Sequence, residues 1–224
     1  DPRWSRGLGE VYKRQDGGQT IYENCGINVP GTALNLPAVT AEDEKLLEAT
    51  VSFASLVEVS FVRTAQDMRD AVAMVRRVEQ RSGRNVGIVV KLETLESMQN
   101  LPDILLELMK HERVGVMVAR GDMAAELGIM HMVEAPRYVV NLCQAAQLPV
   151  IIGSNILETL TDAGQPTRAE VTDAAWAQQA ECVMLNHGKH MVETVEAVGA
   201  LLSAMDGVQR KNQSLLPSLH EWKR

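Results

Sequence analysis

VGIVVKLET at residues 86–94 and VGVMVARGD at residues 114–122 are two runs of the same kind, each an apolar stretch that ends in charged residues. Runs rich in β-branched residues with few polar positions are typical of parallel strands covered on both faces. Side chains two residues apart on a strand share a face, so Lys91 and Glu93 should point the same way. A neighbouring parallel strand lies about 5 Å away and would bring Asp122 beside Glu93.

Two carboxylates and one ammonium at a strand edge suit a hard divalent cation. Mg²⁺ takes one or two carboxylates and leaves its other positions to water and substrate oxygens. The carboxyl ends of strands are also where α/β barrels and open sheets build their sites. The alternative is that Lys91, Glu93 and Asp122 are ordinary polar residues where buried strands meet loops, but their joint occurrence favours a site.

Apolar runs of this type recur along the chain. Their starts lie roughly thirty residues apart, which is the length of a βα unit. The runs are LVEVSFVR from Leu56, VGIVVKLE from Val86, VGVMVARGD from Val114, PVIIGSN from Pro149 and CVMLNHG from Cys182. They predict five strands.

Helical segments separate the predicted strands. TAQDMRDAVAMVRRVEQRSG at residues 64–83 has a helical period, a Thr-x-x-Asp capping box at its start and a glycine at its end. Thr40 and Asp43 open a shorter helix in the same manner, and Pro102 is expected to divide the segment after Lys91 into two pieces.

Alternation of strand and helix predicts an α/β fold with a parallel sheet, either in a barrel or in a doubly wound sheet. A complete eight-stranded barrel needs about 250 residues and three more βα units than the five runs supply. The chain is therefore either an open five-stranded sheet or one part of a barrel.

Residues 1–15, DPRWSRGLGEVYKRQ, show no period and no turn pattern, and we interpret them as a non-native leader outside the fold. Without their four basic and two acidic residues the formal net charge moves from −7 to −9. An acidic, aromatic-poor chain of this kind is not expected to bind nucleic acid. No apolar run approaches the roughly eighteen residues of a membrane span, so no membrane partner is expected.

The positions of the cysteines and methionines are informative as well. The three cysteines are scattered and odd in number, two of them lie in apolar runs, and no signal peptide is visible, which together favour a cytoplasmic protein. Met117, Met130 and Met184 occupy core-like positions and are predicted to fill gaps in the core.

The order and spacing of several segments resemble the pyruvate kinase family over nearly everything after residue 20. INVPGTALNLPAVTAED at residues 27–43 resembles the segment that leads from the family's lid domain back into its barrel. The others follow in family order: VSFVR (59–63), VKLET (90–94), MVARGDMAAELG (117–128), PVIIGSNILETL (149–160), PTRAEVTDAA (166–175) and CVMLN (182–186). One short motif would be weak evidence of a resemblance, whereas six motifs in order with matching spacing make the resemblance strong.

The resemblance implies a (β/α)8 TIM barrel of pyruvate kinase type, here partial, with about strands four to eight. Residues 16–32 would be the end of the lid-domain connection, residues 33–210 the partial barrel and residues 211–224 a C-terminal tail. The effector domain that follows the barrel in typical members is expected to be missing. That ending, and LNHGKH at residues 185–190 in place of the usual LSGETA, resemble the family's short branch, whose members often lack this domain.

Taken position by position, the resemblance implies that Glu93 and Asp122 are metal ligands. It implies that Lys91 neutralises the transferred phosphoryl group and the enolate left behind, and that Ser154, where the family has a threonine, helps to pass a proton to the enolate carbon. Lys91 and Ser154 are thus the implied catalytic residues. The implied substrate-binding residues are Ala119, Arg120, Gly121, Asp122 and Ser154. Backbone N–H groups at the turn from strand to helix suit a substrate carboxylate.

Some positions depart from the family pattern. Ser154 keeps a hydroxyl but lacks the methyl group that restrains χ1 in threonine, which predicts reduced precision rather than lost chemistry. Asn155 replaces a more frequent glutamine, and the loop at residues 185–190 has lost the glutamate and threonine of LSGETA.

The activity implied by the resemblance is transfer of the phosphoryl group of phosphoenolpyruvate to ADP, which gives pyruvate and ATP in glycolysis. Mg²⁺ is implied as a cofactor, K⁺ as a further one, and a homo-oligomer as the assembly. In such enzymes positioning and charge neutralisation supply most of the acceleration. The phosphate-binding arginine and most nucleotide contacts are expected upstream, so the chain by itself is expected to be inactive.

Two other classes stay open. A Mg²⁺-dependent 2-oxo-acid aldolase or lyase on a similar barrel would use the same lysine and carboxylates without a nucleotide. A non-catalytic paralogue of pyruvate kinase would account for Ser154 and the altered loop.

Overall fold

The computed structural model describes residues 36–206. The predicted leader at 1–15, the lid connection at 16–32 and the tail at 211–224 lie outside the described residues and stay predictions. The strands are β1 (Leu56–Val59), β2 (Gly87–Leu92), β3 (Val114–Ala119), β4 (Val150–Gly153) and β5 (Cys182–Val183). The α-helices are α1 (Ala41–Thr50), α2 (Ala65–Ser82), α3 (Leu95–Gln99), α4 (Leu101–Leu108), α5 (Arg120–Leu127), α6 (Ala135–Ala145), α7 (Glu158–Ala163), α8 (Arg168–Ala177) and α9 (Met191–Asp206), with a 3-10 helix (Ile129–Val133) between α5 and α6.

The sheet is parallel and its strands follow chain order. Each of the five predicted runs contains a strand, and β1 to β5 pair in the order β1-β2-β3-β4-β5. A doubly wound sheet reverses its strand order at a switch point, whereas a barrel adds each strand beside the last one. Sequential order therefore confirms the partial barrel and decides between the two architectures that the sequence left open.

Local sequence signals set the helix ends as predicted. Both predicted capping boxes form, Thr40 with Asp43 and Thr64 with Asp67. In each, the threonine hydroxyl accepts a hydrogen bond from the aspartate N–H, and the aspartate carboxylate accepts one from the threonine N–H. Pro102 lies in the first turn of α4, directly after the short α3. A proline has no N–H to donate, so it is tolerated in the first turn and separates the two helices.

The core lies between the sheet and the outer helices. Ile88, Val90 and Leu92 of β2 are fully buried against the buried stripe of α2. Burying a side chain of this size contributes about 1.5–3 kcal/mol relative to leaving it exposed. Because side chains alternate along a strand, Lys91 faces away from those helices, toward the barrel interior. The core thus directs the polar positions of β2 to the other face.

The prediction that the methionines fill gaps in the core was partly wrong. Met117 is buried as predicted, but Met130 is 80% exposed on the 3-10 helix and fills no gap in the described core. Cys143 is buried and Cys182 is exposed, and both are free thiols. Ile129 and Val133 of the same 3-10 helix as Met130 are also exposed, whereas Met132 is half-buried and packs against the core.

No helix within residues 36–206 combines the length and the apolar character needed to cross a membrane.

Glu44 joins the outer helices α1 and α2. Its carboxylate accepts hydrogen bonds from Arg77, at 2.6 Å from Nη2 to Oε2, and from Arg81. These hydrogen bonds lower the pKa of Glu44 from 4.5 to about 2. A carboxyl group with a lowered pKa in the folded state stabilises the protein above its unfolded-state pKa.

Glu44→Gln is predicted to lower the midpoint temperature of unfolding at pH 7, and less so at high salt because exposed pairs are screened. The contribution of Glu44 is complete above about pH 4.5 and declines as the pH falls toward about 2. The difference in midpoint between variant and wild type should therefore shrink below pH 4.5. A difference that stays constant from pH 7 to pH 3 would contradict the proposed linkage.

Two glycine-to-alanine substitutions are predicted to change the free energy of unfolding in opposite directions. Gly83 ends α2 with a φ of +68°, and Gly199 lies inside α9, with open space around the position of an added Cβ at both. Gly83→Ala should destabilise the protein by about 1 kcal/mol through left-handed strain. Gly199→Ala should stabilise it by about 0.5–1 kcal/mol. Urea unfolding measures both changes, and two changes in the same direction would contradict the assignment of the helix end.

Candidate active site

An ion pair lies at the carboxyl end of β2. Lys91 Nζ is 3.0 Å from Glu93 Oε1, and the Glu93 side chain is 1% exposed whereas that of Lys91 is 21% exposed. The two side chains point the same way, as the period of a strand predicts. The sequence prediction that they lie together is confirmed by this contact.

The loop after β1 completes the surroundings of this pair. The Phe61 N–H donates to Glu93 Oε2 at 2.6 Å, and Lys91 Nζ donates to Ser60 Oγ at 3.2 Å. Phe61 has a φ of +53°, a left-handed conformation that costs about 1–2 kcal/mol in a residue with a side chain. A hydrogen bond to a charged group contributes about 1.5–3 kcal/mol, which offsets this strain. The roles of Ser60 and Phe61 were not predicted from the sequence.

The turn from β3 into α5 carries the next group of predicted residues. Ala119 ends β3 and is buried, and α5 begins at Arg120 without a side-chain cap. Gly121 and Asp122 thus lie in the first turn of α5, where helix N–H groups have no intrahelical partner. The pairing of Leu92 with Val118 puts the end of β2 level with this turn. The turn predicted from the sequence is therefore present next to the ion pair.

Ser154 follows β4 and lies against the same turn. A Cβ built on Gly121 would be 3.2 Å from Ser154 Oγ, so the serine hydroxyl approaches the first turn of α5. This hydroxyl makes no hydrogen bond to another residue within 36–206. Ser154 is thereby brought together with Gly121, and its hydroxyl is available to a substrate.

The segment after Ser154 is held by a partly buried carboxyl group. Asn155 and Leu157 have φ values of +60° and +51°, and Asn155 Nδ2 donates to Glu158 Oε2 at 2.7 Å. Burial raises the pKa of the Glu158 carboxyl above its usual value. Its Oε1 is buried and has no hydrogen-bond partner among the described residues. Non-glycine residues in the left-handed region gather at functional sites, which agrees with the place of this segment.

The altered loop at residues 185–190 packs on α7. A Cβ added to Gly188 would come within 2.6 Å of the Thr161 carbonyl oxygen, so a side chain there would collide with backbone. The His190 N–H donates to the same carbonyl at 2.8 Å. Thr161 and Thr194, both buried, share a hydrogen bond of 3.1 Å between their hydroxyls. Glycine at position 188 is therefore required by the close packing of loop and helix.

The carboxylates of Glu93 and Asp122 fit a Mg²⁺ ion by their chemistry. Each Glu93 oxygen has one donor among the described residues and thus keeps a lone pair, and Asp122 has no hydrogen bond or ion pair with another described residue. No group of three or more His, Cys, Asp and Glu side chains within residues 36–206 is arranged to hold a metal. Mg²⁺ commonly uses one or two carboxylates and takes its remaining ligands from water and substrate.

Parallel strands in chain order, with polar side chains gathered at their carboxyl ends, define part of a (β/α)8 barrel. A family model described as pyruvate kinase, barrel domain, matches residues 8–195 of the chain. The chain belongs to the pyruvate kinase family.

Individual relatives agree with this membership. A pyruvate kinase of Leishmania mexicana is 36% identical over 184 residues, which are 79% of this chain and 35% of that protein. One of Kluyveromyces lactis is 37% identical over 169 residues, 74% of this chain and 32% of that protein. The crystal structure of a pyruvate kinase from Cryptosporidium parvum is similar with a TM-score of 0.74 at 26% identity, and the match covers 81% of this chain and 38% of that one. The chain thus spans about a third of the length of these curated relatives.

The buried ion pair leads to a prediction about stability in the absence of metal. Lys91→Met leaves the Glu93 carboxylate buried without its cation and should destabilise the protein by about 3 kcal/mol. In Lys91→Met/Glu93→Gln the buried charge is gone, so the double variant should be more stable than Lys91→Met alone. Urea unfolding in the presence of a chelator measures all three proteins. A double variant that is less stable than Lys91→Met would contradict the assigned pair.

Proposed function

We propose that the protein containing this chain transfers the phosphoryl group of phosphoenolpyruvate to ADP and protonates the resulting enolate to pyruvate. The observation that carries the proposal is the ion pair of Lys91 with the buried Glu93, 3.0 Å apart beside the uncapped start of α5. Membership in the pyruvate kinase family supports it. Because the chain spans only part of its relatives, the proposal concerns the full-length protein.

Each predicted site residue has a task in the proposed phosphoryl transfer. Glu93 and Asp122 would hold Mg²⁺, which would supply positive charge to the phosphoryl and enolate oxygens. Lys91 places its ammonium against the phosphoryl oxygens as the bond to the enol oxygen breaks and that oxygen keeps the electron pair. The backbone from Ala119 to Asp122 binds the substrate carboxylate through N–H groups of the first turn of α5.

Ser154 serves the second half of the reaction. Its hydroxyl lies by Gly121, next to the proposed carboxylate site, and gives a proton to the methylene carbon of the enolate. The proton forms the new C–H bond of the pyruvate methyl group, and the hydroxyl is reprotonated from water. We further propose K⁺ as a second cation, a homo-oligomer as the assembly and the cytoplasm as the location.

One observation favours a second candidate, a non-catalytic member of the family. The loop at residues 185–190 has replaced LSGETA by LNHGKH, and Gly188 is fitted to the backbone of α7. A protein that only assembles with an active subunit would tolerate such a change.

The full-length protein is predicted to form ATP and pyruvate from phosphoenolpyruvate and ADP with Mg²⁺ and K⁺. Lys91→Met should lower the rate by about 10³-fold or more, because it removes a charge aimed at the transferred group. Lys110→Met is a matched control, since Lys110 also pairs with a glutamate, at 2.7 Å from Glu107, on an exposed helix end. Coupled assays of both products measure the rates.

The outcomes separate the candidates. A folded wild-type protein without activity would favour the non-catalytic member, and cleavage of a 2-oxo acid without nucleotide would favour the lyase. An active protein whose rate is unchanged by Lys91→Met would contradict the proposed site.

A further inference from the structure

The side chain of Arg120 joins three segments at the carboxyl end of the sheet. Its Nη1 donates to both oxygens of Asp173, at 2.7 and 2.6 Å, and its Nη2 donates to the Ser154 carbonyl oxygen at 2.7 Å. Arg120 begins α5, Ser154 follows β4, and Asp173 lies in α8. One guanidinium group therefore fixes the end of β4 between two helices.

The burial of Arg120 makes its carboxylate partner necessary. The Arg120 side chain is 13% exposed, and its Nε is buried without a hydrogen-bond partner in the described part of the chain. A cation with so little water needs a counter-charge, and the charge-assisted contacts to Asp173 supply it. Without the Asp173 charge, the guanidinium would be driven toward solvent and away from Ser154.

The contact with Ser154 is made through its backbone rather than its hydroxyl. A serine lacks the methyl group that limits χ1 in threonine, so its hydroxyl direction is set weakly by its own side chain. The position of the Ser154 backbone then decides where the hydroxyl lies relative to Gly121. The Arg120 hydrogen bond to the carbonyl oxygen is the side-chain contact that fixes this backbone.

We propose that Asp173 and Arg120 are positioning residues for proton transfer by Ser154. Asp173 holds the Arg120 guanidinium, Arg120 holds the Ser154 carbonyl, and the serine hydroxyl is thereby kept over the enolate carbon. Neither side chain has to touch the substrate, because Arg120 Nη1 already donates to Asp173 and Arg120 Nη2 to the Ser154 carbonyl oxygen. The inference rests on the proposed function and names a residue, Asp173, that acts on only one half of the reaction.

The test compares the two halves of the reaction in the full-length protein. ATP formation from phosphoenolpyruvate and ADP reports phosphoryl transfer. Exchange of the pyruvate methyl protons with D₂O, followed by NMR with Mg²⁺, K⁺ and inorganic phosphate, reports loss of a methyl proton to give the enolate and return of a deuteron to the same carbon. Asp173→Asn and Arg120→Lys are the variants, because each keeps side-chain size while breaking the two-oxygen contact.

Both variants are expected to lower deuterium exchange at least tenfold more than ATP formation, since displacement of a reacting group by about 1 Å costs on the order of 10²-fold. Loss of folded protein would lower both rates in the same proportion, so the ratio isolates positioning from stability. Glu44→Gln is the control, because it also breaks an arginine–carboxylate pair, at 2.6 Å, but between outer helices. It should leave the ratio unchanged.

An unchanged ratio in a folded Asp173→Asn or Arg120→Lys protein would overturn the inference, and if only one variant folds, that variant decides. A wild-type protein that forms neither ATP nor deuterated pyruvate would instead contradict the proposed function, and the inference with it. If the wild-type protein is active and the variants keep its ratio of the two rates, only the inference is contradicted and the proposed function stands.

Discussion

A buried carboxylate needs a partner for each oxygen, and Glu93 obtains one partner from β2 and the other from the loop after β1. Lys91 of its own strand supplies the charge, and the Phe61 N–H after β1 supplies the hydrogen bond. Burial of an unpaired charge would cost several kcal/mol, so the two contacts cannot be given up independently. The ends of β1 and β2 are thereby fixed to each other at the place where the barrel family builds its sites.

The same arrangement continues around the sheet. Arg120 joins the end of β3 to the end of β4 and to α8, and Gly188 brings the loop after β5 against α7. Three of the four neighbouring pairs of carboxyl-end segments, those after β1 and β2, β3 and β4, and β4 and β5, are thus held together by a specific polar or close contact. The apolar core provides the stability of the sheet, whereas these contacts decide the geometry of the polar groups at its edge. The proposed chemistry depends on that edge.

Much of this could be predicted from the sequence, because the signals were local. The five strands, the capping boxes at Thr40 and Thr64, the separation at Pro102 and the contact of Lys91 with Glu93 follow from residues within a few positions of each other. The exposure of Met130 was missed, since an apolar neighbourhood in the sequence does not reveal which residues a 3-10 turn leaves outside.

Other contacts could not be predicted from the sequence because they join residues that are far apart in the chain. The partner of Arg120 is 53 residues away in the chain, and the donor to Glu93 is 32 residues away. Neither segment carries a pattern that names its partner, although PTRAEVTDAA contains Asp173 and was singled out as a family motif. The topology of the sheet, rather than any property of these residues alone, brings them together.

The packing of Gly188 on Thr161 also limits how segments can be exchanged between members of the family. A graft of LSGETA into residues 185–190 would put a glutamate at position 188, against the Thr161 carbonyl oxygen. The loop therefore cannot be transplanted alone, and a chimera would have to take the helix α7 along with it. These two stretches, at least 22 positions apart in the sequence, would have to be exchanged as one unit.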